Sequence, residues 1–181
     1  MAKLKILNSK LLDIMISRLC QQLVENHDDF QETVLLGMQP KGIYLAERIK
    51  QRLKEITGTE LPLGHLDTTF FRDDFRRRSE PLKPNATHVP FIIENKKVVL
   101  IDDVLFTGRS VRAAIDAMLA FGRPSCIELL VLIDRKYSRD LPIEPHYVGK
   151  SVNTIQSQRV QVEWREQEHA EDNVWLVSSQ L

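Results

Sequence analysis

Cysteine is nearly absent from this chain. Two stand among 181 residues, Cys20 and Cys126. They are too few and too far apart for a disulfide framework or a zinc site, and both lie in apolar surroundings. They read as two buried free thiols in a reducing compartment. Net charge is absent too, since 25 basic residues balance 25 acidic ones. That balance excludes a chain that is basic all over, but it permits a basic patch offset by an acidic one. No apolar run approaches the ~18–20 residues that a membrane helix needs, so no membrane partner is expected. Residues 1–5 lack the apolar segment and cleavage site of a secretory leader, which points to the cytoplasm. The 5 histidines show no metal-ligand spacing. Glycine (7) and proline (8) are too scarce for a fibrous or linker-dominated chain. What remains, 43% hydrophobic and 28% charged, suits one globular domain spanning 1–181.

Asn8-Ser9 reads as a helix cap, followed by Leu12, Met15, Ile16, Leu19 and Leu23 at helical spacing. Residues 33–37 form a short buried strand, and 38–42 a turn. A helix then runs through about Thr57, stopped by Gly58. Residues 63–71 suit a strand. Residues 72–90 hold Arg72, Arg76, Arg77, Arg78 and Lys83 with three prolines and few apolar residues. They read as a long mobile lid loop. Strands are expected at 96–103 and 127–133, with a helix at 109–121 between them. Short strand-like runs follow near 147–148, 160–162 and 174–177. Phe70, Phe71, Phe91 and Phe106 fall where core packing is the default. This alternation predicts an α/β domain with a central, mainly parallel sheet flanked by helices.

One segment carries chemistry: Val-Val-Leu-Ile-Asp-Asp-Val-Leu-Phe-Thr-Gly-Arg-Ser, residues 98–110. Four apolar residues make a strand buried on both faces. Asp102 and Asp103 sit at its carboxyl end, where open α/β sheets bind ligands. A loop with Thr107, Gly108 and Ser110 then opens a helix, whose free amides hold an anion. Gly108 lets the backbone approach it closely. A phosphate on the loop and hydroxyls on the carboxylates describe a phosphorylated ribose. The bland alternative is a strand–turn–helix whose Asp and Ser only cap the helix. The segment is neither a Walker A loop nor a dinucleotide fingerprint.

This segment resembles the phosphoribosyl-pyrophosphate (PRPP) signature of type I phosphoribosyltransferases. Further stretches resemble the PyrR-type family within them: residues 42–46, the run Leu-Asp-Thr-Thr-Phe-Phe-Arg-Asp-Asp at 66–74, Gly-Arg-Pro-Ser at 122–125, Asp134-Arg135, 141–143 and 147–150. The resemblance implies a type I fold with a small hood and a lid. It also implies two activities: uracil phosphoribosyl transfer, giving UMP and pyrophosphate, and UMP-responsive attenuation of pyrimidine genes through leader mRNA. By that resemblance Asp102 and Asp103 bind the ribose and, with Arg72, carry catalysis. Residues 102–110 (Asp102, Asp103, Val104, Leu105, Phe106, Thr107, Gly108, Arg109, Ser110) hold the ribose and 5′-phosphate. Lys41, Gly42, Arg72 and Arg77 meet pyrophosphate, and Ile133, Asp134 and Arg135 meet the base. Magnesium arrives with PRPP and needs no direct protein ligand.

Lys41 departs from the family, where Thr-Arg-Gly is usual and Pro40-Lys41-Gly42 stands here. Lysine keeps the charge and loses the bidentate fork; read without the family it is an ordinary turn lysine. Asp134-Arg135 can equally be a surface ion pair at a strand end. For RNA, Arg18, Arg135, Lys136, Arg139 and Lys150 are expected on one face. Residues 135–159 hold five basic residues against Asp140 and Glu144, whereas 163–172 set five acids against Arg165. The basic patch is therefore modest. Two other readings stay open: a salvage enzyme without RNA binding, and transfer to another base. The resemblance also implies a homo-oligomer, dimeric or larger.

Overall fold

The computed structural model describes residues 2–73, 85–155 and 157–178. In chain order the elements are β1 (Ala2–Leu7), α1 (Ser9–Asn26), β2 (Thr33–Met38), α2 (Gly42–Thr57), β3 (Leu63–Leu66), β4 (Lys97–Leu105), α3 (Arg109–Met118), β5 (Cys126–Lys136), β6 (Tyr147–Asn153), β7 (Gln158–Glu163) and β8 (Asn173–Ser178). Asn8 caps α1 as expected, its side chain accepting from the Leu11 amide. Gly58 ends α2 in the left-handed region, at φ 73°.

Five strands form one sheet in the order β3-β2-β4-β5-β6, all parallel. Strand alternation sends side chains to two cores. Val99 and Ile101 of β4 and Leu130 and Leu132 of β5 pack under α1 and α2. Val98 and Leu100 with Leu129 and Val131 pack with Val111, Ala114 and Met118 of α3. This is the arrangement expected of a strand buried on both faces. A second sheet, β1-β8-β7, is antiparallel and forms the small hood. Arg48 of α2 joins the two parts: it donates to Asp172 and Glu166 and stacks 4.6 Å over the buried Trp164 ring.

Several expectations are corrected. Cys20 is buried, but Cys126 begins β5 and is exposed. The strand expected over 63–71 stops at Leu66, because the Asp67 carboxylate accepts from Thr69 and turns 69–71 into a 3-10 turn. Phe70 is 65% exposed, and Phe71 and Phe106 are also exposed rather than core. β4 continues through Val104 and Leu105, two residues past the carboxylates. β6 is longer than its apolar pair because parallel pairing to β5 carries it from Tyr147 to Asn153. β1 had no sequence expectation. Most of the expected lid, including Arg76, Arg77, Arg78 and Lys83, lies outside the described residues. Its return is described: His88 and His65 exchange two backbone hydrogen bonds of 2.8 Å. Among the described residues no helix is long and apolar enough to cross a membrane.

Candidate active site

The site lies where β4 reaches its carboxyl end and α3 begins. Asp102 and Asp103 are adjacent there, and the Asp103 amide donates to Asp102 Oδ1 at 2.9 Å. Burial pushes the Asp102 carboxyl well above the ordinary carboxylate range, and the charge of Asp103 pushes it further, opposed by Arg72. Burial raises Asp103 as well, and Lys41 opposes the shift. Two carboxylates held in a poorly solvated site carry repulsion that hydroxyl donors or a nearby cation relieve. That fits a cation brought by a pyrophosphate. Among the described residues, no cluster of three or more His, Cys, Asp or Glu could cage a metal by itself.

The loop after β4 surrounds a cavity of about 320 Å³, lined by Arg72, Asp102, Phe106, Thr107, Gly108 and Ser110 among others. Gly108 caps α3 at φ 89°, a left-handed conformation that L side chains rarely adopt. A Cβ there would also meet Ile143 at 3.2 Å. The loop is held from behind, because the Thr107 carbonyl accepts from the amides of Asp140 and Leu141. Arg109 spans Asp140 at 2.9 Å and Asp73 at 2.5 Å. Arg72 donates to Ser110 Oγ at 2.9 Å, which brings the 3-10 turn to the loop. Leu105 lines the cavity and is also packed into the α3 core.

Gly42 opens α2 directly behind the carboxylates. A Cβ on it would stand 2.6 Å from the Ile101 carbonyl and 3.0 Å from the Asp102 Cα. Packing of α2 on the end of β4 therefore demands glycine at this point. Lys41 sends its ammonium to the Val162 carbonyl of the hood at 2.9 Å, while its charge still reaches Asp103.

The residues expected at the base behave differently from one another. Ile133 and Asp134 are fully buried. Asp134 holds Arg139, and Lys136 at 2.8 Å, so it is a buried pair and not a surface one. Arg135 is buried as well, its guanidinium 3.8 Å over the Phe106 ring and bonded to Thr154 Oγ1 and the Gln158 carbonyl. A second cavity of about 220 Å³ adjoins this stack, lined by Phe106, Thr107, Arg135, Tyr137, Thr154 and Ile155. Phe106 and Thr107 line both cavities. Sequence reasoning missed Asp140 and Thr154 and assigned Arg139 to the RNA face; all three line the second cavity by folding back from after β5 and β6. A larger cavity of about 390 Å³ lies elsewhere, between α1 and α2, with its arginines already paired to acids.

The five cations expected on one RNA-facing surface differ in how far they are engaged within this chain. Arg135 and Arg139 are engaged inside the fold beside the signature loop. Arg18 donates to the Val148 and Gly149 carbonyls of β6. Lys150 pairs in register with Ile133, and Lys136 with Asn153.

A parallel sheet with paired carboxylates and a Thr-Gly-Arg-Ser loop opening a helix at its carboxyl edge has the form of a phosphoribosyltransferase domain. The family of that description, the phosphoribosyl transferase domain, matches residues 4–167. The chain belongs to the PyrR family within it. The chain is 44% identical over 162 residues, 88% of both chains, to the bifunctional protein PyrR of Listeria welshimeri. It is 46% identical over 147 residues to that of Citrifermentans bemidjiense, covering 81% of this chain and 82% of the relative. Among solved structures, the hypoxanthine phosphoribosyltransferase of Trypanosoma cruzi superposes with TM-score 0.72 at 10% identity, covering 97% of each chain. That of Staphylococcus aureus gives 0.70 at 19% identity, over 94% of this chain and 90% of the other. These last two share the fold.

Proposed function

We infer that the protein transfers the ribose 5-phosphate of PRPP to uracil, giving UMP and pyrophosphate, and that it also binds pyrimidine leader mRNA in response to UMP. The observation that carries the reading is the carboxylate pair beside an anion-holding loop in a chain of the PyrR family. In the reaction uracil N1 bonds to C1′ and loses its proton, while the C1′–O bond breaks and its electron pair leaves with pyrophosphate. Positive charge develops on the ribose, and Asp102 and Asp103 stabilise it while accepting from the ribose hydroxyls. The amides and hydroxyls of 107–110 hold the 5′-phosphate. Arg72 and Lys41 neutralise pyrophosphate; Arg77 lies outside the described residues. Magnesium arriving with PRPP beside Asp102 and Asp103 would supply further charge neutralisation. The base occupies the cavity beside the Phe106–Arg135 stack, where backbone groups after β5 serve its donor and acceptors.

Turnover with PRPP and a panel of bases tests this directly. UMP formation from uracil supports it, and turnover only with a purine overturns it. Gly108→Val forces a β-branched side chain into a left-handed position and against Ile143, which displaces the loop. It is expected to weaken UMP binding about tenfold or more, read by calorimetric titration.

The RNA activity rests on the exposed cations, of which Lys150 is the cleanest probe. Lys150→Glu is expected to weaken leader RNA binding and flatten its salt dependence by about one counterion, with uracil turnover unchanged. Arg139 cannot serve as that probe, because it holds Asp134 next to the loop. We further infer a homo-oligomer that covers exposed Leu11 and Ile14 of α1, read by sedimentation.

A further inference from the structure

Asp67 has no part in the machinery described above, yet it is among the most heavily bonded side chains in the protein. It follows β3 directly and is buried, 8% exposed. Its Oδ1 accepts from the Thr69 hydroxyl at 2.7 Å and from the Thr69 amide at 3.3 Å. Its Oδ2 accepts from the Asn85 amide at 3.2 Å. Its own amide donates to Thr87 Oγ1 at 3.0 Å. One carboxylate thus binds two stretches of chain that are far apart in sequence. One is the turn 69–71, which ends at Arg72. The other is the return segment that begins at Asn85.

Each stretch leads to the substrate site. Arg72 reaches Ser110 Oγ at 2.9 Å, and its charge acts on Asp102. The neighbouring Phe71 carbonyl accepts from Arg112 of α3 at 2.9 Å. On the return side, the Ala86 carbonyl accepts from Gln39 Nε2 at 2.6 Å, and Gln39 lies in the turn that leads to Lys41. Two of the cations assigned to pyrophosphate, Arg72 and Lys41, therefore stand on segments that converge near Asp67. A buried carboxylate tolerates loss of solvent only when its lone pairs are used. Here one oxygen serves each stretch. An asparagine has a single acceptor oxygen, so it satisfies one stretch and turns an N–H toward a donor on the other. The chemistry at this point therefore requires a carboxylate.

We propose that Asp67 is a positioning residue for pyrophosphate: it fixes the Arg72 turn against the return segment, so that Arg72 is placed before PRPP arrives. The proposal rests on the phosphoribosyl-transfer reading and names a further residue for it. Pre-placement raises affinity by removing ordering that the ligand would otherwise drive. UMP lacks the pyrophosphate that Arg72 is assigned to neutralise, so its affinity depends on Asp67 much less than that of PRPP does.

The test is titration calorimetry of PRPP and of UMP with the full chain, for wild type, Asp67→Asn, Arg72→Ala and the double variant. In Asp67→Asn, the PRPP dissociation constant is expected to rise about tenfold, while that of UMP stays within about twofold. Asp67→Asn in the Arg72→Ala background is expected to add much less than it does alone, because the two act as one unit. Equal losses for PRPP and UMP, no loss at all, or full additivity with Arg72→Ala would each overturn the proposal. Should Asp67→Asn fail to fold, Thr87→Val removes only the return-side hydroxyl, and the same preferential loss of PRPP is required of it. Failure of the reading beneath is separable: wild type that binds PRPP but gives no UMP from uracil removes the function and leaves the positioning result standing.

Discussion

Asp102→Asn is expected to abolish most turnover and, at neutral or alkaline pH, to make the protein more stable. The activity arm follows from charge. Removing a group that stabilises the developing cation costs on the order of 10²-fold in kcat, with shape and the Oδ1 acceptor retained. The stability arm follows from linkage. Burial and the neighbouring carboxylate raise the Asp102 pKa above its unfolded value of about 3.9. The folded state then binds the proton more tightly than the unfolded chain does. Between the unfolded and the raised folded value, stability falls as pH rises. The cost is complete above the folded value and absent below about pH 4. Each unit of upward shift corresponds to about 1.4 kcal/mol, or a few degrees in Tm for a domain of this size. Thermal melts at pH 8 and at the lowest pH where the fold survives check it. Asp102→Asn should melt higher at pH 8, and the gain should shrink in acid. A variant that melts lower at pH 8 would show that the carboxylate holds the fold together. Asp103→Asn should follow the same pattern more weakly, since Lys41 opposes its shift.

Gly42→Ala is expected to be the most damaging single-methyl change near the site. The added carbon would stand 2.6 Å from a backbone oxygen of β4, and no flexible side chain is there to yield. α2 must lift from the sheet, which costs about 1–3 kcal/mol as overpacking does. The movement also displaces Asp102, whose Cα lies 3.0 Å from the same point. Both Tm and PRPP affinity should fall. A loss of affinity without a loss of Tm would return Gly42 to the simpler role of admitting pyrophosphate. The two aspartates and this glycine thus pull in opposite senses: the carboxylates cost stability for chemistry, whereas Gly42 serves both.

Much of this was legible in the sequence because it depends on neighbours along the chain. The strand–carboxylate–loop–helix order of 98–110 is local, and so are the Asn8 cap and the Gly58 stop. The structure keeps all three. What was not legible depends on residues that meet from afar. Arg135 and Arg139 are charged letters in a charged stretch, and composition reads them as surface. Only the fold places Phe106 beneath one and Asp134 beside the other. Arg18 likewise reads as a solvated helix residue until β6 lies alongside it. Lys3-Leu4-Lys5-Ile6-Leu7 carries strand alternation, but its partner is 170 residues away. The exposure of Phe70 and Phe71 follows from one carboxylate, Asp67, that halts β3 early.

The pairing of β1 with β8 also sets an order of assembly. The five parallel strands lie between Thr33 and Asn153, so their sheet can close while the rest of the chain is still being made. β1 leaves the ribosome first, yet every partner in its ladder lies between Val174 and Ser178. At ~5–20 residues per second it waits on the order of ten seconds. The hood carries Val162, whose carbonyl receives Lys41, and so the Lys41 side of the cleft is finished last. A released chain ending near residue 155 should therefore hold the signature loop in place and still lack its roof.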